Sequence, residues 1–260
     1  MKLPSQVGIW RLGNPIHQND TCAVAAAQPV DAAGSPRWDY VVKLGIGEEG
    51  RLGVHQTISV GSAVSHPNIV AVLDGDPVAE FPFVVMPRLE GATLEQRLKQ
   101  PGTPLPVLLW VTRQLCQALE TLHASGWSHR DIKPSNLIVG ENGHVTLIDL
   151  AFATEQSAAG REPFRGTPKY AAPELLEPET VASLVASDIF SVGRLLWEGL
   201  TRVETQNEAA LSAVCELVER MVDDSPAKRP TASELTQTLL RMEIDTLREH
   251  VGPGASRRAA

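Results

Sequence analysis

Up to residue 90 the chain contains short apolar runs separated by turn-forming residues. Runs of this length, bounded by Gly, Pro, Asn and Asp, are typical of strands. They read "CAVAAA", "WDYVVKLG", "HPNIVAVLDG" and "FPFVVMPRLEG". The intervening "RLGVHQTISVGSAVS" has the length of a helix, although Gly53 and Gly61 disfavour one. The pattern predicts a small β-rich unit with one helix.

Beyond Gly91 the apolar positions recur at helical spacing. The segment "PVLLWVTRQLCQALETLHASG" ends at a glycine, as helices often do. Its apolar stripe consists of Leu108, Val111, Leu115, Leu119 and Leu122. We predict a second, helical unit built around this segment.

Two later segments predict further helices. "SDIFSVGRLLWEGLT" is apolar on nearly all sides, as expected of a buried helix, and Ser187 is predicted to cap it. "TASELTQTLLRMEIDTLREH" opens with Thr231 and Glu234 at capping-box spacing. A β-rich unit followed by a helical unit indicates the α+β fold class.

The composition is that of an ordinary globular protein, with 43% hydrophobic and 21% charged residues. A formal net charge of −8, without a long basic run, disfavours nucleic-acid binding. No run approaches the roughly 20 apolar residues of a membrane span, and no signal-peptide pattern is seen. Three widely spaced cysteines suit a reducing compartment. We expect a soluble cytoplasmic protein, and the sequence does not indicate its oligomeric state.

The candidate chemistry is concentrated in residues 128–153, "SHRDIKPSNLIVGENGHVTLIDLAFA". The run "HRDIKPSN" at 129–136 fits the protein-kinase pattern H-R-D-x-x-x-x-N, and "LIDLA" at 147–151 stands where that family has D-F-G. "GTPKYAAPE" at 166–174 resembles the substrate-facing loop that ends in A-P-E. From residue 8 to 248 the chain resembles eukaryotic-type Ser/Thr protein kinases, and its alanine-rich, compact sequence is similar to bacterial members.

This resemblance implies a bilobal, kinase-like fold of the α+β class. It implies an N-lobe at 1–87, a C-lobe at 88–248 and a tail at 249–260, which is expected to be disordered. It also implies ATP and Mg²⁺ as cofactors, and a protein substrate or a regulatory protein as partner.

The resemblance gives each polar residue of the cluster a role. Asp131 would accept or orient the proton of a substrate hydroxyl, and Lys133 would lie at the γ-phosphate. Asn136 and Asp149 would hold Mg²⁺, which prefers hard oxygen ligands. In "YVVKL", which resembles V-A-I-K, Lys43 would bind the α- and β-phosphates.

The resemblance also implies an adenine pocket. "VVMPRLEG" resembles the strand and hinge that bind adenine, with Met86 as gatekeeper and the backbone of Arg88 and Leu89 facing the base. Ile138 would form the pocket floor, and Gly13 would be the remaining glycine of the phosphate-binding loop.

The N-lobe departs from the family pattern in two places. Only Gly13 of G-x-G-x-x-G is kept, and Pro15 lacks a backbone N–H, so weaker phosphate binding is expected. Thr57 stands where the family has the helix glutamate that pairs with the lysine. Glu48 and Glu49 are alternative partners for that lysine if the helix is shifted.

Other positions are predicted to support the site. Glu174 and Arg229 resemble a buried ion pair of the family, and Asp188 is expected to hold the catalytic-loop backbone. In "DLA", Leu150 would fill the apolar position of the family's Phe, and Ala151 would restrict the backbone where the family has Gly.

The remaining predictions concern His129 and the hydroxyls of the segment between Asp149 and Glu174. Thr167 is expected to contact Asp131, while Thr154 and Ser157 are candidate autophosphorylation sites. His129 is expected to be a hydrogen-bonded core residue and not a metal ligand.

Two classes of function fit this sequence. A Ser/Thr protein kinase is favoured because all five chemical residues are present. A pseudokinase, acting as a binding or scaffolding module, is the alternative, because the glycine loop is degenerate and the helix glutamate is missing. A kinase for small molecules is disfavoured, since "GTPKYAAPE" resembles a peptide-binding loop.

Overall fold

The structure is a computed structural model that describes residues 3–32, 34–100, 102–158, 164–176, 183–205 and 207–251. Its strands are β1 (Gln6–Val7), β2 (Trp10–Gln18), β3 (Cys22–Pro29), β4 (Tyr40–Gly45), β5 (Asp74–Asp76), β6 (Phe83–Pro87), β7 (Ala92–Thr93), β8 (Trp127–Ser128), β9 (Leu137–Val139), β10 (Val145–Leu147) and β11 (Thr154–Glu155). Its helices are α1 (Gly47–Ala63), α2 (Leu94–Leu98), α3 (Leu105–Ala124), α4 (Pro173–Leu176), α5 (Leu184–Leu200), α6 (Glu208–Met221) and α7 (Ala232–Val251).

The first part of the chain forms an antiparallel sheet in the order β1-β2-β3-β4-β6-β5. Side chains alternate between its two faces. On β4, Val42 and Leu44 are buried in a core that belongs to the sheet, and they pack with Phe83 and Val85 of β6. Lys43 therefore points to the opposite face, where the helical part of the chain lies.

Helix α1 connects β4 to β5, which confirms the helix predicted in this region. Its glycines cost up to about 1 kcal/mol each in an isolated helix. Burial of one face offsets this cost, because Val54, Thr57 and Val60 are almost fully buried. The helix thus depends on tertiary packing more than on intrinsic propensity.

The helical part is built around α3, which packs against α5 and α7. Each residue of the apolar stripe predicted for α3 is 3% exposed or less. Arg113 of α3 also forms an ion pair with Glu243 of α7, at 2.7 Å. The stripe is confirmed as the centre of the larger core.

The predicted start of helix α5 is wrong by one turn. The helix begins at Leu184, and Ser183 is its cap, since its Oγ accepts from the backbone N–H of Ala186. Ser187 lies inside the helix, and its hydroxyl donates to Glu174 Oε1 at 3.0 Å. The capping box that begins α7 is present as predicted, because Glu234 N donates to Thr231 Oγ1 at 3.2 Å.

The α+β class is confirmed, whereas the lobe boundary at residues 87 and 88 stays a prediction. Strand β6 ends at Pro87, and β7 begins at Ala92. The proposed tail begins inside α7, which runs to Val251, and residues 252–260 lie outside the described part. Within the described part, no helix is long and apolar enough to cross a membrane.

A buried ion pair joins α4 to the loop before α7. Arg229 Nη1 lies 2.6 Å from Glu174 Oε1, and Arg229 Nη2 lies 3.0 Å from Oε2. Burial raises the pKa of Glu174, but the hydrogen bonds and charge of Arg229 outweigh this effect and leave the pKa below its ordinary value. The predicted pair is confirmed, and it fixes the end of the segment that begins at Gly166.

Substitution Leu119→Ala is expected to lower the free energy of unfolding by about 2–5 kcal/mol, because the side chain is fully buried and leaves a cavity. Val107→Ala changes a residue of the same helix that is 41% exposed, and it is expected to cost less than about 1 kcal/mol. Urea denaturation followed by circular dichroism measures both. Equal losses would contradict the packing of α3 described above.

Substitution Glu174→Gln leaves the Arg229 charge buried without its partner and is expected to cost about 3–5 kcal/mol at pH 7. Because the folded pKa is lowered, the stabilisation by the carboxylate is complete above the ordinary value of 4.5 and is lost as the pH falls below it. The difference between wild type and variant should therefore shrink as the pH is lowered below 4.5. Urea titrations at several pH values test this, with Glu219→Gln at an exposed position as control. A difference that does not change with pH would refute the assignment.

Candidate active site

The loop after β8 is held by a carboxylate from helix α5. Asp188 is fully buried and accepts hydrogen bonds from the backbone N–H groups of His129 and Arg130, each at 2.8 Å. Arg130 has a φ of 68°, a left-handed conformation that costs energy for a non-glycine residue. The bond from Asp188 stabilises this conformation, so the loop geometry is set by the fold. The supporting role predicted for Asp188 is confirmed.

A compact hydrogen-bonded cluster forms around Asp131. Thr167 donates its hydroxyl to Asp131 Oδ1 at 2.7 Å, and Lys133 Nζ donates to Thr167 Oγ1 at 2.8 Å. Lys133 Nζ also lies 2.7 Å from Asp131 Oδ2. Asn136 Nδ2 donates to the same Oδ2 at 3.0 Å and to the Asp131 carbonyl at 2.9 Å. The cluster confirms the predicted contact of Thr167.

His129 is hydrogen-bonded to the backbone of this cluster. It is fully buried, and its Nδ1 lies 3.3 Å from the backbone nitrogen of Asp131, whose N–H it accepts. Its Nε2 lies 3.3 Å from the carbonyl oxygen of Ile148. His129 is therefore the hydrogen-bonded core residue that was predicted.

The sheet and the helical part meet at an ion pair between Lys43 and Asp149. Lys43 Nζ lies 2.5 Å from Asp149 Oδ1, and Lys43 is only 9% exposed. Burial raises the pKa of Asp149, but the ammonium of Lys43 outweighs burial and holds the pKa below its ordinary value. The Ile148 N–H donates to the Asn136 carbonyl at 2.9 Å, which brings the segments that carry Asn136 and Asp149 side by side.

Helix α1 provides no carboxylate for Lys43. The residue that lies next to it is Thr57, which is buried and donates its hydroxyl to the Gly53 carbonyl of its own helix at 2.8 Å. Glu48 and Glu49 lie exposed in the first turn, so neither replaces the missing glutamate in this structure. The lysine is neutralised by Asp149 instead.

A cavity of about 370 Å³ opens beside this ion pair, and we call it the cleft. Four of its lining residues were predicted from the hinge and pocket-floor motifs, namely Met86, Arg88, Leu89 and Ile138. Its other lining residues are Ile16, Val24, Val41, Lys43, Thr57, Val70, Pro87, Ile148 and Asp149. The wall is therefore mainly apolar at one end and charged at the other, as a nucleotide would require.

Sequence reasoning missed the apolar residues from the sheet. Strand alternation would have identified Val41, which lies two residues before Lys43 and shares its face. Val24 is the cross-strand partner of Lys43 and could have been found from the pairing of β3 with β4. Ile16 carried no comparable signal, because its place in the cleft depends on an irregular strand.

Gly13 does not line the cleft, although it was predicted to bind the cofactor. A Cβ atom at this position would lie 2.8 Å from the ring of Trp38, so the glycine makes room for the indole. The pairing of β2 with β3 shifts register on both sides of Pro15, as expected where a residue without an N–H interrupts the ladder. The shifts bring Ile16 to the cleft wall.

The charged end of the cleft has donors that suit a divalent cation. Asp149 offers a carboxylate whose side chain is 36% exposed, and the backbone bond from Ile148 to Asn136 brings the segment that carries an amide next to it. No group of three or more His, Cys, Asp or Glu side chains is arranged for metal binding in the described residues. A cation held here must take its other ligands from water or from phosphate oxygens, as Mg²⁺ commonly does.

Comparison with known proteins agrees with this geometry. The family model described as protein kinase domain matches residues 47–211, which is more than half of the chain. The matched region includes the cluster around Asp131, Asp149 and helix α1. Lys43 and the hairpin of β2 and β3 lie before it.

Individual relatives are Ser/Thr protein kinases of bacteria. The chain is 34% identical over 150 residues to the serine/threonine-protein kinase PknB of Mycolicibacterium smegmatis, which covers 54% of this chain and 24% of the relative. It is 32% identical over 208 residues to the serine/threonine-protein kinase PkaA of Streptomyces coelicolor, covering 70% and 38%. The chain thus spans well under half the length of these curated relatives. With the motifs, the geometry and the family match in agreement, the chain belongs to the protein kinase domain family.

Proposed function

We propose that this protein is a Ser/Thr protein kinase that transfers the γ-phosphate of ATP to protein hydroxyls. The observation that carries the proposal is the cluster around Asp131. Asp131 accepts a hydrogen bond from the Thr167 hydroxyl, and Lys133 donates to the same hydroxyl oxygen. This arrangement suits a serine or threonine side chain that is to be phosphorylated. The complete set of chemical residues supports it further.

Each residue has a task that follows from its surroundings. The apolar end of the cleft would bind the adenine ring through the predicted hinge and floor positions, and Lys43 would contact phosphate oxygens. Asn136 and Asp149 would hold Mg²⁺. Bound ATP supplies the phosphoryl group, and Mg²⁺ neutralises its charge. Asp131 would orient the substrate hydroxyl and take its proton, a role worth about 10²–10⁴ in rate.

The Lys43–Asp149 ion pair joins the two residues that would hold phosphate and metal. Asp149 would offer its carboxylate to the cation and Lys43 its ammonium to phosphate oxygens, so each charge would have a partner of opposite sign. Gly13 and Pro15 contribute little to phosphate binding in this proposal, because the first lies under Trp38 and the second lacks an N–H. Nucleotide affinity should come mainly from the apolar cavity.

Partners and location follow from the activity. Protein substrates, and a regulatory protein as further partner, are proposed on the basis of the loop that carries Thr167. Cys22, Cys116 and Cys215 are free thiols, and the reaction consumes ATP. Both features support the cytoplasm as the place where this domain works.

Binding of the cofactors is tested by thermal denaturation with ATP, with and without Mg²⁺. Ligand that binds only the folded state raises the melting temperature, by an amount set by its concentration relative to Kd. We expect a larger rise with Mg²⁺ than without it, because Asp149 and Asn136 act through the cation. A protein that melts at the same temperature with and without Mg–ATP would contradict the proposal.

Substitution Asp131→Asn is expected to reduce incorporation of radiolabelled phosphate into a generic basic protein by about 10²–10⁴-fold. Its Mg–ATP-dependent rise in melting temperature should stay close to that of the wild type, because Asp131 faces the substrate hydroxyl. Asp224→Asn, at an exposed position, is the matched control and should leave incorporation unchanged. Equal labelling of wild type and Asp131→Asn, or nucleotide binding without any phosphate transfer, would favour the alternative of a pseudokinase that acts as a binding module.

A further inference from the structure

Gly53 of helix α1 packs closely on Ala151, two residues after Asp149. A methyl carbon placed on Gly53 would lie 3.1 Å from the methyl carbon of Ala151, nearer than the 3.4–4 Å of ordinary van der Waals contact. The Cα and carbonyl oxygen of Ala151 would both lie 3.9 Å from it. A side chain at position 53 would therefore require Ala151 to shift by a few tenths of an ångström.

Movement of Ala151 is coupled to Asp149 through the backbone between them. The Ala151 N–H lies 3.4 Å from Asp149 Oδ1, to which it donates. Asp149 itself has a φ of 65°, which is a strained conformation for a residue with a side chain. Leu150 is fully buried in the core and anchors the segment in the middle. A displacement of Ala151 therefore acts on the carboxylate through the hydrogen bond from its N–H.

Lys43 does not couple the helix to this segment. Its ion pair runs to Asp149, and the nearest polar side chain of α1, that of Thr57, donates to its own helix. In a helix that pairs with the lysine through a glutamate, the ion pair would transmit the helix position to the phosphates. Here the packing of Gly53 on Ala151 connects α1 directly to the carboxylate side of the cleft.

We infer that Gly53 and Ala151 form a positioning pair that sets Asp149 for binding Mg²⁺ with ATP. The inference rests on the proposed function, because it assigns Asp149 to the cation. Neither residue is catalytic, since each acts through Asp149. The position of helix α1 thereby controls metal affinity, because Gly53, which has no side chain, packs against the methyl group of Ala151.

The test is a double-mutant cycle of Gly53→Ala, Ala151→Gly and the combined variant, with ATP affinity measured by titration calorimetry with and without Mg²⁺. Gly53→Ala is expected to weaken the affinity for Mg–ATP about tenfold, which is within the coupling of contacting residues. Affinity for ATP without Mg²⁺ should change by less than about twofold. The combined variant should recover to within about twofold of the wild type, because Ala151→Gly removes the colliding methyl group.

Gly61→Ala is the matched control, since it changes another glycine of the same helix and introduces a methyl group that collides with Val72 instead of Ala151. It is expected to lower the melting temperature without changing the Mg²⁺ dependence of binding. Gly53→Ala also adds helix propensity, so a loss of metal-dependent affinity cannot come from a weaker helix. Ala151→Gly alone keeps the inference testable if Gly53→Ala does not fold, and it should weaken Mg–ATP binding about threefold.

The outcomes separate this inference from the proposed function. Phosphate transfer together with additive effects in the cycle would overturn the inference and leave the kinase activity standing. Coupled effects in the cycle, in a protein that transfers no phosphate, would support the inference and overturn the proposed kinase activity. Wild-type binding that does not depend on Mg²⁺, or an equal loss in Gly61→Ala, would also overturn the inference.

Discussion

A lysine that is almost fully buried cannot remain charged without a partner, and this requirement organises the site. Lys43 comes from the sheet, and Asp149 comes from the helical part, so their ion pair closes one part of the chain on the other. Because a buried charge that lacks its partner is costly, the pair also dictates how ligands enter. In the proposed function, phosphate and metal would offer Lys43 and Asp149 the opposite charges that the two residues give each other here.

The remainder of the fold holds the loops around this ion pair in place. Asp188 and the Glu174–Arg229 pair hold the loops beneath the cleft by buried hydrogen bonds, so their geometry does not depend on a ligand. The sheet side is less regular, since β2 shifts register around Pro15. The site thus combines a rigid lower surface with an upper surface that departs from the family pattern.

The sequence predicted well what is local. Asp131, Lys133 and Asn136 lie within six residues, so their spacing alone places them together, and the apolar stripe of α3 follows from helical periodicity. Contacts between distant segments were not visible. The motif predicted Gly13 as a phosphate-loop glycine, but its packing on the Trp38 ring depends on a residue outside that motif. The Ser187 error has a similar cause, because its hydroxyl bonds to Glu174 of another helix.

The hydrogen bonds of Asp131 limit what can approach it. A carboxylate has about four acceptor positions, and the described residues fill three of them, one on Oδ1 from Thr167 and two on Oδ2 from Lys133 and Asn136. In the proposed function, a solvent molecule and a substrate hydroxyl would compete for the remaining place, on the oxygen that Thr167 already shares. A bound substrate would then keep water away from Asp131 and so limit hydrolysis of ATP.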